Sequence, residues 1–287
     1  MMSGAVSRQL RLMGLYTAVV LLVLFAILPI AYAALTIFKK DSELFNPAAN
    51  PFFFEQGPTL SHLIFLFGKT QFPVFLWNSA VIGVLVVAIT LLLSVPAAYS
   101  LARLTGRWGE SSGMAIFLVY LIPPTLLFIP LFRIVVWLGV ANTVWSLVLV
   151  LPTITVPFCT WLLLGFFRSI PRELDEAAML DGHSRFGAFL RVVLPQALPG
   201  IGACVVFAFS LSLSNFIYSV TFVTQSAARN ISAGVPTELI RGDVYFWPSL
   251  MAATAIVAIP LGIAYGLLFD YLVRGFQSAE TAAVSDR

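Results

Sequence analysis

Long windows without a charged side chain dominate this 287-residue sequence. Since an unpaired charge in hydrocarbon is costly, such windows locate membrane spans. Six of them exceed the roughly 20 residues that a helix needs to cross the hydrocarbon core. They are Leu12–Phe38, Thr70–Ala102, Ser111–Phe132, Ile134–Phe167, Val192–Ala228 and Val244–Phe269. The sequence therefore predicts an all-α membrane protein with six transmembrane helices.

The composition excludes several other classes of protein. Only 10% of the residues are charged and 60% are hydrophobic, whereas a soluble domain carries about 25% charged residues. A soluble domain, a disordered chain and a nucleic-acid binder are excluded together, and membrane lipid is the expected surroundings. The net charge of +3 is the modest basic excess that cytoplasmic loops give a membrane protein. Cys159 and Cys204 both fall in apolar stretches, so neither a disulfide framework nor a metal site is predicted.

The basic residues predict which helix ends face the cytoplasm. With a cytoplasmic N-terminus, ten Lys and Arg lie inside and six outside, which favours both termini inside. The inside set is Arg8, Arg11, Arg103, Arg107, Arg168, Arg172, Arg185, Arg191, Arg274 and Arg287. The outside set is Lys39, Lys40, Lys69, Arg133, Arg229 and Arg241.

This orientation gives a single transmembrane domain over residues 1–287. Its spans are expected at roughly 12–36, 74–100, 112–132, 144–167, 201–223 and 248–270, with a cytoplasmic loop at 168–200. The segments Asn46–Gly68 and Gln225–Asp243 are predicted as loops on the outer side. Ala31-Tyr32-Ala33 has the form of a cleavage site. The apolar run before it exceeds the usual 7–15 residues or so of a signal peptide, and the first span is expected to be retained.

The loop between the fourth and fifth spans predicts a helix, a turn and a second helix. Pro171 suits the first turn of a helix, and the acidic residues after it complement the helix dipole. Asp181-Gly182 is a helix breaker, and Ser184 is a plausible N-cap for the second helix, which Pro195 and Pro199 end. Two adjacent alanines between charged residues form a shallow apolar surface that fits a groove on a partner protein. An amphipathic loop lying on the inner membrane surface is the alternative.

A specific spacing in this loop resembles a known family. Glu176-Ala177-Ala178 is followed after three residues by Gly182, after nine more by Val192, and then by Leu194-Pro195. This pattern is similar to the EAA signature of ABC importer permeases. The wider chain resembles the MalG-type permeases of carbohydrate importers, with Asn78-Ser79 in the second span, Leu174-Asp175 before the signature, and Trp247 with Met251-Ala252 opening the last span.

The resemblance implies the type I ABC importer permease fold and coupling helices that dock on a separate ATPase subunit. Carried over, the coupling residues are Arg172, Glu176, Ala177, Ala178, Asp181 and Gly182. It further implies three kinds of partner: a cytoplasmic ATPase dimer that binds ATP and Mg, an extracytoplasmic solute-binding protein, and a second homologous permease that completes the pore. The solute would then cross by alternating access. The expected location is the bacterial inner membrane, with the chain crossing it several times.

Three departures from the family pattern bear on the solute. His183 stands where a small residue is usual after Asp-Gly, and Ser214-Asn215 replaces the frequent Trp-Asn of the fifth span. The segment Gly275–Arg287 lacks the usual glycine-rich basic ending.

The residues argue against an enzyme. Gly68-Lys69-Thr70 looks like the end of a phosphate-binding loop, but Leu63 occupies the position of its leading glycine. An intramembrane hydrolase would need His beside a nucleophile, yet His62 and His183 fall on opposite faces of the membrane. The chain itself is expected to bind no cofactor.

Other transport and binding roles remain as alternatives. An ion-coupled secondary carrier would need an acid near the bilayer midplane, whereas Asp270 and Arg274 lie at the cytoplasmic end of the last span. A scaffold without transport is not excluded by composition. Among importers, the expected solute is a neutral oligosaccharide, sugar derivative or polyol, with a polyamine or a glycerophosphodiester as the alternative.

Polar side chains within the spans are the candidates for lining the solute pathway. Polar groups in hydrocarbon need partners, so these residues should face the interior of the bundle. They are Asn78, Ser79, Ser212, Ser214, Asn215 and Tyr218. Hydrogen bonding between helices explains the same residues equally well.

Overall fold

The computed structural model describes residues 2–106, 108–242 and 244–285, with side chains between 11 and 267. Of the residues used to predict the orientation, Arg107 and Arg287 lie outside the described residues. The side chains of Arg8, Asp270 and Arg274 lie outside them as well.

Helices form most of the described chain. In chain order they are α1 (Met2–Phe38), α2 (Asp41–Leu44), α3 (Ser61–Lys69), α4 (Phe72–Arg103), α5 (Trp108–Tyr120), α6 (Pro124–Trp137), α7 (Val144–Val150), α8 (Pro152–Ser169), α9 (Glu173–Leu180), α10 (Arg185–Ala188), α11 (Leu194–Gln196), α12 (Leu198–Ser214), α13 (Phe216–Phe222), α14 (Ile231–Leu239) and α15 (Trp247–Ser285). A π-helical turn (Phe189–Val193) joins α10 to α11, and a 3-10 turn (Ser226–Ala228) precedes α14. The predicted all-α class is confirmed.

Two short strands are the departure from an all-helical chain. β1 (Ile240–Arg241) pairs antiparallel with β2 (Val244–Tyr245), with Ile240 opposite Tyr245. The 3-10 turn, α14 and β1 lie within the second segment that was predicted as an outer loop, and β2 follows that segment. The first such segment likewise contains α3, whose Leu66 is fully buried. Both segments therefore contain short elements of ordered secondary structure.

The number of apolar helices agrees with the six predicted membrane crossings when each bent pair of helices is counted as one span. Within the described residues, four helical stretches are long and apolar enough to cross a membrane, and six if each bent pair forms one span. α5 and α6 form one such pair, bent by 88°. Pro123 and Pro124 lie at this break, where proline removes backbone N–H donors and cannot continue a straight helix. The second pair is the helical run Arg185–Gln196 with α12, bent by 72°.

The larger of two compact units comprises residues 71–237 and 260–287. Its two buried apolar clusters both include α4. One cluster joins the C-terminal half of α4 to α8, α12 and the π-helical turn, and the other joins its N-terminal half to α7 and α13. α4 thus runs through both cores of this unit.

The two cysteines meet inside the first of these clusters. Cys159 on α8 and Cys204 on α12 are both fully buried and free. The Cys204 thiol lies 3.8 Å from the Cys159 carbonyl oxygen, and the Cys159 thiol lies 4.0 Å from that of Cys204. Each behaves as a small apolar side chain that packs α8 against α12.

The smaller unit comprises residues 1–70 and 238–259, and an ion pair anchors its polar part. Lys39 Nζ lies 3.1 Å from Glu43 Oε1, and both side chains are buried. Burial raises the pKa of Glu43, but hydrogen bonds from the backbone N–H of Glu55 and Gln56 and from Lys39 outweigh it, so its pKa lies below the ordinary value of 4.5. His62 Nε2 approaches the Lys39 carbonyl oxygen at 2.8 Å. These contacts fold the chain after α1 back on itself.

Candidate functional site

The loop that carries the EAA signature folds as two short helices around a tight turn. α9 ends at Leu180, and Gly182 has a φ of +88°. The Gly182 N–H donates to the Met179 carbonyl at 3.1 Å, and the His183 N–H donates to the Ala178 carbonyl at 3.0 Å. Only glycine adopts this backbone conformation readily. Gly182 therefore ends α9 and reverses the chain, as the sequence predicts.

The second helix begins at the predicted cap and continues differently from the prediction. Ser184 Oγ accepts a hydrogen bond from the Gly187 N–H at 3.1 Å, so Ser184 is the N-cap of α10. After one turn the chain becomes π-helical and then forms α11, in which Pro195 lies. Pro199 lies in the first turn of α12, where proline is tolerated because that turn leaves its N–H groups unpaired. The helical run from Arg185 ends at Gln196, between the two prolines, as the sequence predicts.

The first helix of the loop is also slightly shorter than predicted. α9 begins at Glu173, with Arg172 at its N-cap, so Pro171 lies before the helix and outside its first turn. Arg172 is the N-cap because its carbonyl accepts the first helical hydrogen bond, from the Glu176 N–H at 3.2 Å. The three acidic residues of its first turn remain where the helix dipole favours them.

The outward surface of the loop carries most of the predicted coupling residues. Glu176, Ala177, Asp181 and Gly182 are exposed, whereas Ala178 is 5% exposed and lies on the packed side. Leu180 and Phe186 are 88% and 69% exposed at the tip. An apolar tip flanked by charge is typical of a surface that another protein covers.

A buried ion pair that the sequence reasoning missed attaches α9 to α4. Arg103 Nε lies 2.9 Å from Asp175 Oδ2, and the Tyr99 hydroxyl donates to Asp175 Oδ1 at 3.0 Å. Arg103 also donates to the Ile170 carbonyl at 2.7 Å. The predicted coupling residue Arg172 donates to the Ala102 carbonyl at 3.3 Å, so it contributes to the same attachment. The sequence held one indication of this ion pair, because Arg103 is the charged residue that directly follows the second charge-free window.

Two of the predicted pathway residues hold the segment between α13 and α14 onto α4. Asn78 Nδ2 donates to the carbonyls of Ala227 and Arg229, each at 2.9 Å. Ser79 Oγ accepts from the Ile231 N–H at 2.7 Å. Both residues are buried, and these hydrogen bonds occupy their side chains.

The other four predicted pathway residues cluster at the break between α12 and α13. Asn215 interrupts the helix, and its Oδ1 accepts from the Tyr218 N–H at 3.0 Å, which caps α13. Tyr218 is fully buried and its hydroxyl donates to the Pro124 carbonyl at 2.9 Å. Ser212 is buried beside Asn230, whereas Ser214 is exposed and Asn215 half-buried. At the break, Ser214 and Asn215 are therefore accessible, whereas Ser212 and Tyr218 are buried.

No metal site accompanies these residues within the described part of the chain. Among the described His, Cys, Asp and Glu side chains, no three lie close enough together to hold a metal ion.

The sequence is similar to known permeases along most of its length. It is 32% identical over 262 residues to the sulfoquinovosyl glycerol transport system permease protein SmoH of Agrobacterium fabrum, covering 91% of this chain and 90% of that protein. It is 32% identical to the trehalose/maltose transport system permease protein MalG of Thermococcus litoralis, over 71% of this chain and 74% of that protein. These relatives confirm the predicted resemblance to carbohydrate permeases of the MalG type.

The fold is likewise similar to a solved transporter subunit. A chain of a bacterial ABC transporter involved in the import of the acidic polysaccharide alginate superposes with a TM-score of 0.74 at 18% identity. The match covers 91% of this chain and 96% of that one, so the type I importer permease fold is confirmed. Residues 94–278, which include the loop with the EAA signature and the helix break, match the family of binding-protein-dependent transport system inner membrane components. The chain belongs to this family and is an inner-membrane protein.

Proposed function

We propose that the chain forms one half of the solute pathway of an ATP-driven importer and takes its driving force through the EAA loop. The observation that carries this proposal is the outward surface of α9 and its turn. Glu176, Ala177 and Gly182 are exposed there beside the 88% exposed Leu180. A groove on a cytoplasmic ATPase would bury this apolar tip, which water-facing loops rarely leave uncovered.

ATP and Mg are then bound by the ATPase dimer, and hydrolysis takes place on that separate subunit. The missing glycine at Leu63 supports this division, because a phosphate-cradling loop needs its leading glycine. A second homologous permease completes the pathway, and an extracytoplasmic solute-binding protein delivers the solute. The family description itself, which specifies transport dependent on a binding protein, supports the last of these partners.

The proposed solute is a carbohydrate or a carbohydrate derivative rich in hydroxyl groups. The support comes from the names of two relatives that match most of this chain, which specify a sulfoquinovosyl glycerol in one and trehalose or maltose in the other. Hydroxyl-rich solutes are recognised by neutral polar groups and aromatic rings. The serine, asparagine and tyrosine side chains at the helix break have this chemistry.

The break at Asn215 is the proposed point of contact with the solute. Irregular backbone at membrane depth is tolerated where it is buried in protein or lines a cavity, and transporters use such broken helices for binding. Ser214 and Asn215 are accessible, so we assign them to the solute. The segments that surround the break form the wall of the pathway behind these two residues. They are held in place by Asn78, Ser79, Ser212 and Tyr218.

The proposed orientation places both termini and the loop at 168–200 in the cytoplasm. A cysteine introduced at exposed Ser169, which lies outside the proposed docking surface, should then react with a membrane-impermeant maleimide only in inverted vesicles. Reaction of Ser169→Cys in right-side-out vesicles would reverse the orientation.

The experiment that tests the function is a gentle-detergent purification of the tagged chain, with mass spectrometry of the proteins that accompany it. An ATPase and a second six-helix protein are expected with the unmodified chain. Glu176→Lys and Gly182→Asp should lose the ATPase while the chain stays inserted and abundant. Glu110→Lys, an equal charge reversal at an exposed residue of α5, is the matched control and should retain it. Recovery of the chain alone would refute the importer assignment.

A further inference from the structure

Asp175 differs from the other acidic residues of the coupling helix. It is buried, whereas its neighbours Glu173 and Glu176 on α9 are exposed. Both of its carboxylate oxygens are engaged, one by the Arg103 guanidinium at 2.9 Å and one by the Tyr99 hydroxyl at 3.0 Å. The Tyr99 hydrogen bond gives this attachment a direction, and the ion pair adds electrostatic attraction, since Arg103 Nε and Asp175 Oδ2 form no hydrogen bond with each other.

Aromatic packing holds the partners of Asp175 in place. The Tyr99 ring lies 4.4 Å from that of Phe189 and 5.7 Å from that of Phe167, measured between centroids. Tyr99 is therefore wedged between the π-helical turn and α8. Arg103 is itself held by its hydrogen bond to the Ile170 carbonyl.

Polar contacts and apolar packing together connect α9 to the end of α4. A cavity of about 450 Å³ lies beside this connection and is lined by residues of both elements, among them Ala102, Arg103, Arg172 and Glu173. Leu174 of α9 packs against the apolar cluster that includes Tyr99 and Ala102. The Arg103–Asp175 ion pair and the Arg172 hydrogen bond to Ala102 add polar contacts between specific atoms.

The other end of α4 holds a different part of the protein. Asn78 and Ser79 bind the backbone of residues 227–231 through three hydrogen bonds. α4 is one continuous helix between these two attachments, and the part from Ser79 to Tyr99 is about 30 Å long at 1.5 Å per residue. One helix thus connects the coupling loop to the segment at the far end of the unit.

We propose that the Arg103–Asp175 ion pair, completed by Tyr99, transmits the displacement of α9 to α4 and through it to the segment that Asn78 and Ser79 hold. Arg103 and Asp175 are then positioning residues, since they contact neither ATP nor solute. This inference rests on the proposed function, in which an ATPase moves α9. It adds the residues through which that movement reaches the far end of the pathway.

The test compares the ATP-driven response of the far segment in matched variants of the purified transporter. Exposed Ala227 is replaced by cysteine, and its rate of reaction with a maleimide is measured without nucleotide and with ATP plus vanadate. Asp175→Asn and the double variant Arg103→Gln with Asp175→Asn are placed in this background. Glu173→Gln, which removes an exposed carboxylate from the same helix, is the control. The double variant leaves no unpaired charge buried, so it is expected to insert and assemble.

We expect ATP plus vanadate to change the labelling rate in the reference chain and in Glu173→Gln. In the two Asp175 variants this change should shrink by about tenfold, while the bound ATPase still hydrolyses ATP. A full response in the double variant would overturn the proposal, because the ion pair would then serve only charge balance. No nucleotide-driven change at Ala227→Cys in a reference chain that holds an active ATPase would overturn it too. Absence of the ATPase from the reference chain would instead refute the proposed function.

Discussion

The turn at Gly182 allows the geometry of the loop with the EAA signature to be perturbed without adding or removing a polar or charged side chain. Gly182 has a φ of +88°, and a Cβ added there would meet no atom within 4 Å. Gly182→Ala therefore adds backbone strain and no steric clash. An L-residue with a side chain pays roughly 1–2 kcal/mol for the left-handed conformation.

That strain should appear as easier opening of the turn. A change of 1–2 kcal/mol corresponds to roughly 5–30-fold in the ratio of closed to open forms. Hydrogen exchange of the backbone N–H groups of Gly182 and His183, which bond to Met179 and Ala178, should accelerate by this factor in Gly182→Ala. Gly182→Asn should change it less, since asparagine tolerates this region better.

A second glycine supplies the control for the loss of glycine as such. Gly165 also has open space at its Cβ but lies within α8 at an ordinary helical φ. Gly165→Ala should leave exchange in the loop unchanged. Equal exchange rates in Gly182→Ala and the unmodified chain would refute the reasoning from backbone strain. A larger effect of Gly182→Asn than of Gly182→Ala would refute it as well.

Three further outcomes follow from individual contacts. Asn78→Ala removes two hydrogen bonds to residues 227 and 229, each worth about 1 kcal/mol, so limited proteolysis should cut this segment faster, and unchanged cutting would contradict the assignment. Ser184→Ala removes the cap of α10 and should destabilise the loop by about 1 kcal/mol, measured by denaturant titration against Ser184→Asp, which retains a cap. The lowered pKa of Glu43 stabilises the fold above its ordinary value of 4.5. This contribution is lost as the pH falls through the lowered pKa, and Glu43→Gln should flatten the acid branch of the pH profile of thermal unfolding.

Features that depend on neighbouring residues were predictable from the sequence. Gly182 and Ser184 end one helix and begin the next through bonds that reach no more than five residues along the chain. The charge-free windows likewise predict the spans, because the cost of a charge in hydrocarbon depends only on where that charge lies.

Features that depend on distant residues were not predictable in this way. Tyr99 and Asp175 are 76 residues apart, and nothing near Asp175 separates it from the exposed acids beside it. Asn78 was correctly singled out as polar within a span, but its partner Ala227 lies 149 residues away, so its role as a holder of that segment needed the structure. The break at Asn215 was also unforeseen, since a single asparagine interrupts few helices.

The contact between Cys159 and Cys204 makes the chain a convenient background for thiol chemistry. These are its two cysteines, and both are fully buried against each other. Water-soluble maleimides react with accessible thiolates, which neither side chain presents. A single cysteine placed at an exposed position is then the reactive thiol of the folded protein. Spectroscopic and cross-linking reporters can therefore be attached without first removing the native thiols, whose replacement would disturb the packing of α8 on α12.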